Sequence, residues 1–335
     1  KAFRQRFGMN TSSKLLITMG DVAGVGPEII AKAWPALNKI CRPIVVGDPE
    51  WMKKAILLLN PSLDIETITD PGKASPNSNK ISCLKIPTAD LSDVAKCKIS
   101  AKAGQAAHDF LINAIDLTLA GFADGIVTCP LHKEGLHLAG LDYPGHTEIL
   151  ATRTKAPEHV MILALPNLAV AHVTLHTALK NVFGELSTER IIARAELLDQ
   201  LLTRVHQRKP RLAVCALNPH ASDGGLFGNE EQTTIEPAVQ ICITKGINIQ
   251  GPFPADTLFL RASQGEFDGV VAMYHDQGHI ALKLLGKRST VNITAGIPII
   301  RTSVAHGTAY DIAWQGIADE GSLISAAQWA VNLRK

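Results

Sequence analysis

Residues 15–34 read LLITMGDVAGVGPEIIAKAW: a short β-prone run, 15–18, breaks at Gly20-Asp21 and gives way to a helical pattern over 27–34. Strand, glycine turn and helix in that order open a βα unit. The pattern returns along the chain. Residues 43–47 are followed by the helical stretch 51–59, and 125–129 follow 103–120, where Ala106, Phe110, Ala114 and Leu117 recur at helical spacing. The alternation predicts an α/β protein built on a largely parallel sheet. Ser187 before Glu189 and the apolar-periodic run 191–202 reads as a capped helix start, ended by Lys209-Pro210. Residues 70–80, rich in Pro, Ser, Asn and Gly, read as an exposed loop.

With 335 residues the chain is long enough for two domains of ordinary size. Hydrophobic residues at 46% against 19% charged ones place it among globular proteins. Net charge is only +2 and no basic run of five residues occurs, so nucleic acid is not an expected partner. The six cysteines show no CxxC spacing, which fits a reducing compartment. No apolar stretch approaches the roughly 18 residues of a membrane span, and no apolar signal segment is evident, so a cytoplasmic location with no membrane partner is expected. Residues 1–8 are set aside as an extension.

Four apolar runs end in turns bearing polar side chains: IVTCPLHK (126–133), LAVAHVTLHT (168–177), RLAVCALNPH (211–220) and GVVAMYHDQGH (269–279). In open parallel sheets the carboxyl ends of strands line the ligand crevice, so His176, His220 and His275 are candidate metal ligands. One such histidine is more often a satisfied polar side chain; three at equivalent positions suit Zn²⁺ or another borderline divalent ion, with an open position for chemistry. His132 and His172 share these segments and are read as neighbours. The loop Gly20–Glu28 is neither GxGxxG nor a P-loop. It reads equally as a phosphate cradle or as a tight structural turn. His146 and Thr147, after Gly145, could bond a phosphate or carboxylate from a helix start. Lys283, Asn292 and Arg301 supply an ammonium, an amide and a guanidinium, a set able to grip a doubly anionic ligand.

From about Leu15 to Leu323 the chain resembles the 4-hydroxythreonine-4-phosphate dehydrogenases of pyridoxal phosphate biosynthesis. The resemblance rests on ITMGDVAGVGPE, CPLHKEGLHLAG, YPGHTE, NPHASDGGLFGNEE, GPFPADTLF, AMYHDQGHIALKLLG and VNITAGIPIIRTSVAHGTAYDIA, in matching order. It implies two α/β/α domains with a cleft between them, like those of isocitrate and isopropylmalate dehydrogenases, with no Rossmann fingerprint. The expected division is 14–138 plus 300–335 for the first domain and 139–299 for the second, which carries the metal ligands and the dimer interface.

The activity implied is NAD- or NADP-linked oxidation of a secondary alcohol β to a carboxylate, then decarboxylation. For 4-(phosphooxy)-L-threonine the product is 3-amino-2-oxopropyl phosphate. A divalent metal, Zn, Mg, Mn or Co, is implied on His176, His220 and His275, the third coming from the partner of a homodimer whose active site is shared. Substrate contacts carry over onto His146, Thr147, Lys283, Asn292 and Arg301. Lys283 is a candidate proton carrier, and Asp256 or Asp276 a candidate for orienting a metal-bound histidine. The phrases KEGLHLAGLDYPGHTEILA and YHDQGHIALKLLG, with His279, resemble more a sister branch that converts 4-phospho-D-threonate or 4-phospho-D-erythronate to dihydroxyacetone phosphate. Lys287-Arg288-Ser289-Thr290 also departs from the glycine-containing turn of the vitamin enzymes. Two other classes use similar residues: a metal-dependent phosphatase, and a non-catalytic anion or metal carrier.

Overall fold

The computed structural model describes residues 12–156, 159–286 and 288–334. Residues 1–8 and Lys287 lie outside the described residues. The chain forms two compact units, one from the residues up to His159 together with Ile297–Arg334, the other from Val160–Gly296.

The first unit runs β1 (Lys14–Thr18), α1 (Gly26–Leu37), β2 (Arg42–Gly47), α2 (Pro49–Leu59), β3 (Asp64–Ile68), β4 (Lys80–Lys85), α3 (Ala101–Leu119), β5 (Gly125–Thr128), α4 (Lys133–Leu138) and α5 (His146–Thr154). The second runs β6 (Val160–Leu165), β7 (Leu168–His172), α6 (Val182–Glu185), α7 (Thr188–His206), β8 (Leu212–Cys215), α8 (Glu236–Thr244), β9 (Ile249–Phe253), α9 (Ala255–Ser263), β10 (Gly269–Ala272), α10 (His275–Gly286) and β11 (Val291–Ala295). The chain then returns to the first unit for β12 (Arg301–Val304) and α11 (Gly321–Leu333).

In the first unit the strand order is β3-β4-β2-β1-β5-β12 and every pairing is parallel. Such strands are covered on both faces, so they read as continuous apolar runs. Leu15, Leu16, Ile17, Val45, Ile126 and Val127 are fully buried accordingly, each contributing roughly 1.5–3 kcal/mol of transfer free energy. The loop expected over 70–80 is mostly exposed, as its composition requires, and β4 starts at its last residue. Residues 139–156 belong to the first unit, where Arg153 of α5 grips Asp116 of α3 at 2.6 Å.

The glycine loop between β1 and α1 is a structural turn. Its amides are already engaged: Asp21 N–H to the Pro130 carbonyl at 2.8 Å, Ala23 N–H to Asp21 Oδ1 at 2.9 Å, Gly24 N–H to the Asp21 carbonyl at 3.1 Å, and Val25 N–H to the Thr308 carbonyl at 3.0 Å. A phosphate cradle would need those donors free. Gly20, at φ 69°, sits where a Cβ would fall 2.2 Å from the Pro130 carbonyl oxygen. The loop's carboxylates hold the stretch before α11. Glu28 accepts from Trp314 N–H at 2.5 Å and Gly316 N–H at 2.6 Å, and Asp21 accepts from the Tyr310 hydroxyl at 2.7 Å. Burial raises the Asp21 carboxyl above the ordinary carboxylate value, against the hydrogen bond from Tyr310.

In the second unit the order is β11-β6-β7-β10-β8-β9. The first two pairings are antiparallel and the rest parallel. The β6–β7 hairpin turns at Pro166-Asn167, the punctuation a tight turn calls for. Ser187 caps α7, its hydroxyl accepting from Arg190 N–H. Buried Asp268 is held by Arg208 at 2.9 Å and Arg211 at 3.1 Å.

Candidate active site

Strands β7, β10 and β8 are adjacent and parallel, so their carboxyl ends present three loops along one edge of the second unit. His176 follows β7, His275 opens α10 just after β10, and His220 follows β8. The His176 and His275 rings are 6.0 Å apart between centroids. Both line a cavity of about 440 Å³ with Leu175, Tyr274 and Asp276, within the size range of small-ligand pockets.

Asp276 Oδ1 lies 2.5 Å from His275 Nδ1. A carboxylate there keeps the Nδ1 proton in place and leaves the Nε2 lone pair for a cation. On its other side His275 meets His279, one helical turn along α10, whose ring lies 3.7 Å from it and 12° from parallel. Nδ1 of His279 is in turn 3.2 Å from Nε2 of buried His172. Gly278 permits this approach, since a Cβ on it would come 2.3 Å from that nitrogen. Burial first, then the neighbouring His275, pushes His279 down to about 4. Burial also holds His172 well below the ordinary imidazole value, followed by the charges of His279 and His275. Both rings are therefore neutral at pH 7. In the sequence His172 reads as a neighbour and His279 only as a mark of the sister branch; the i, i+4 spacing of His275 and His279 is the signal that could have placed the second at the site.

His220 is exposed on a loop clamped from beneath by Glu231. The Glu231 carboxylate accepts from Leu217 N–H and Asn218 N–H at 2.8 Å each, from the Asn218 amide at 3.0 Å, and from the Ser222 hydroxyl. Burial alone would raise this carboxyl, but the Asn218 and Ser222 donors prevail and hold it below the ordinary value. Among the described residues of one chain, no three His, Cys, Asp or Glu side chains gather as a metal-ligand group. The donors are nonetheless of the right kind. Three imidazoles follow the ends of adjacent strands, and one of them, His275, is backed by a carboxylate, the ligand type and the support that a borderline divalent ion takes.

Asp256 is exposed at the start of α9, where its carboxylate accepts from Thr257 N–H rather than meeting any of the three histidines. Lys283 is exposed in the last turn of α10, eight residues past His275 and so ~12 Å along the axis at ~1.5 Å per residue. Asn292 is half-buried on β11, and its Oδ1 is buried without a hydrogen-bond partner among the described residues. An orphaned acceptor of this kind normally has a ligand or water to meet.

In the first unit, His146 and Thr147 open α5 and Arg301 opens β12. Arg301 is 3% exposed and donates through Nη2 to Thr128 Oγ1 at 2.7 Å. Burial pulls Arg301 down to about 9, with Glu148 opposing, so the guanidinium remains charged at neutral pH. Burial and that guanidinium keep His146 neutral, against a hydrogen bond with the Cys129 backbone. A buried cation beside a neutral imidazole and a hydroxyl is suited to an oxyanion.

The family model described as "Pyridoxal phosphate biosynthetic protein PdxA" matches residues 39–330. The D-threonate 4-phosphate dehydrogenase of Cupriavidus necator is 45% identical over 320 residues, covering 95% of this chain and 96% of that protein. The 4-hydroxythreonine-4-phosphate dehydrogenase of Desulforapulum autotrophicum is 42% identical over 317 residues, covering 94% and 93%. Among solved structures, the 4-hydroxythreonine-4-phosphate dehydrogenase of Klebsiella pneumoniae superposes with a TM-score of 0.87 at 40% identity, covering 97% of this chain and 100% of that one.

Proposed function

Because the chain belongs to the PdxA family of pyridoxal phosphate biosynthetic proteins, a family of dehydrogenases of phosphorylated hydroxy acids, we propose that it oxidises and decarboxylates 4-(phosphooxy)-L-threonine to 3-amino-2-oxopropyl phosphate with NAD or NADP and a divalent metal. The observation that carries the reading is the placement of His176, His220 and His275 just past the carboxyl ends of the adjacent strands β7, β8 and β10, with Asp276 on His275. A second reading, oxidation of 4-phospho-D-threonate or 4-phospho-D-erythronate, is favoured by the 45% identity to a relative named for D-threonate 4-phosphate.

When bound, the divalent ion supplies Lewis acidity to the substrate's hydroxyl and carboxylate, and the nicotinamide supplies the hydride acceptor. His176, His220 and His275 would hold that ion, with His275 contributed by the second copy of a homodimer. Exposed His220, and Ile280 and Leu284 at 57% and 83% exposure on the helix that His275 opens, support a second copy covering this face. Asp276 keeps the proton on His275 Nδ1. Asp256, tied to its own helix start, is the weaker candidate for that role. His146, Thr147 and Arg301 grip an anionic group of the substrate, His146 donating as a neutral ring. Lys283 carries a proton or positive charge toward the developing oxyanion, and Asn292 offers its unsatisfied amide oxygen to a donor on the substrate. No described helix is long and apolar enough to cross a membrane, and all six cysteines are free thiols; the cytoplasm is the location we propose.

The test is absorbance at 340 nm with metal, NAD⁺ or NADP⁺, and each of the three phosphorylated acids in parallel. The substrate with the highest kcat/KM identifies the branch. Release of inorganic phosphate without reduced nicotinamide would instead establish a phosphatase, and binding without turnover a carrier.

A further inference from the structure

His220 stands in an unusual piece of backbone. It is the first of four consecutive non-glycine residues at positive φ: His220 at 54°, Ala221 at 54°, Ser222 at 70° and Asp223 at 46°. Single residues of this kind are uncommon and strained, because the Cβ crowds the following carbonyl; four in a row persist only where the surroundings hold them. The ring gives little hold of its own, being exposed and 6.3 Å from the half-exposed Phe227 ring. The position of the imidazole is therefore inherited from the turn beneath it.

One side chain braces that turn from both sides. Glu231, 1% exposed, accepts from Leu217 N–H and Asn218 N–H before His220, and from the Ser222 hydroxyl after it. It also accepts from the Asn218 amide, which bonds Glu230 at 2.7 Å as well. Glu231 is the first residue of a wide, π-type turn, Glu231–Ile235, that leads into α8. Such widened turns break the regular helix to place one residue, and they concentrate at functional sites. A carboxylate buried this deeply is costly unless every oxygen is met, and here both are.

We propose that Glu231 is a positioning residue for His220: by bracing the left-handed turn on both sides of that imidazole, its carboxylate sets the affinity of the chain for a divalent cation. The proposal rests on the reading of His220 as a metal ligand. Both oxygens of Glu231 are taken up by Leu217, Asn218 and Ser222, so it acts through the turn. Glutamine in its place keeps the shape and still accepts from the two backbone amides. Its NH₂, however, faces the Asn218 amide, another donor, so the brace loses an acceptor where it needs one.

The experiment is a Co²⁺ titration of the full-length, metal-stripped protein, followed by visible absorption, with melting curves recorded without metal. His220→Ala should reduce affinity the most. Glu231→Gln should weaken Co²⁺ binding by roughly 10- to 100-fold, the range for residues that orient a ligand, while kcat at saturating Co²⁺ stays within about threefold of the unaltered protein. Ser222→Ala removes one strut and should weaken binding by a smaller factor with the melting temperature within about 5 °C, so it decides the matter if Glu231→Gln does not fold. If His220→Ala loses Co²⁺ while the Glu231 and Ser222 variants bind it normally, the positioning role is overturned and the ligand reading stands. If His220→Ala binds Co²⁺ normally, the ligand reading is wrong and the inference goes with it.

Discussion

The imidazole of His279 lies flat on that of His275, 3.7 Å between centroids, while the carboxylate of Asp276 meets the same ring at Nδ1. One residue fixes the plane and the other the proton. Stacked ring pairs are worth about 0.5–1.5 kcal/mol, a two- to thirteenfold effect on an equilibrium. His279→Ala should therefore lower Co²⁺ affinity by a few-fold, and His279→Phe, which restores a ring, should recover most of it. Calorimetric titration of both variants checks this.

Asp276→Asn retains the size of the side chain and removes the charge that holds the Nδ1 proton. Metal affinity should fall by roughly tenfold or more, the range for carboxylates that orient ligating histidines, with no change in melting temperature because Asp276 is exposed. Unchanged affinity and turnover would remove Asp276 from the site.

Arg301 is a buried guanidinium with a hydroxyl partner, Thr128. Arg301→Lys keeps one charge and loses the planar fork, so kcat/KM for the phosphorylated acid should drop by about two orders of magnitude, some 2.7 kcal/mol of transition-state stabilisation. Thr128→Val frees the guanidinium from one bond and should cost less than a tenth as much in rate. Steady-state kinetics with fixed metal and coenzyme separates the two.

Asp268 should contribute to the acid stability of the second unit. Burial would raise its carboxyl, but the Arg208 and Arg211 guanidiniums hold it well below the ordinary carboxylate value of 3.8. A depressed folded pKa contributes stability that is complete above the unfolded value and lost as pH falls below it. Urea midpoints of the native protein should therefore decline below about pH 4 more steeply than those of Asp268→Asn. At pH 7, Asp268→Ala should cost about 2–3 kcal/mol, less than for a fully buried pair because both arginines are half exposed.

The βα alternation was legible because strands buried on both faces are dominated by apolar side chains, as 15–18, 43–47 and 125–129 are. Ser187 announced α7 for an equally local reason: a side-chain cap acts within three residues. That His176, His220 and His275 each lie just past a strand end was legible through topology. Non-local relationships were not. The glycine loop admitted two readings until its amides were seen bonded to Pro130 and Thr308, more than a hundred residues away. Glu231 lay within a quoted motif without a role, because its partners are defined by a turn of positive φ that neither propensity nor periodicity forecasts. His172 was set aside as a neighbour, and its bond to His279 spans 107 residues.

The returning segment carries a consequence for biosynthesis. While the first 159 residues leave the ribosome, β5 has a bare flank, since the strand that pairs with it there, β12, is translated after the whole of the second unit. Glu28 and Asp21 likewise wait for Trp314, Gly316 and Tyr310. The second unit is thus free to mature first, and a nascent chain halted before residue 300 exposes an unpaired strand, the kind of edge that chaperones shield and that stalled polypeptides use to aggregate.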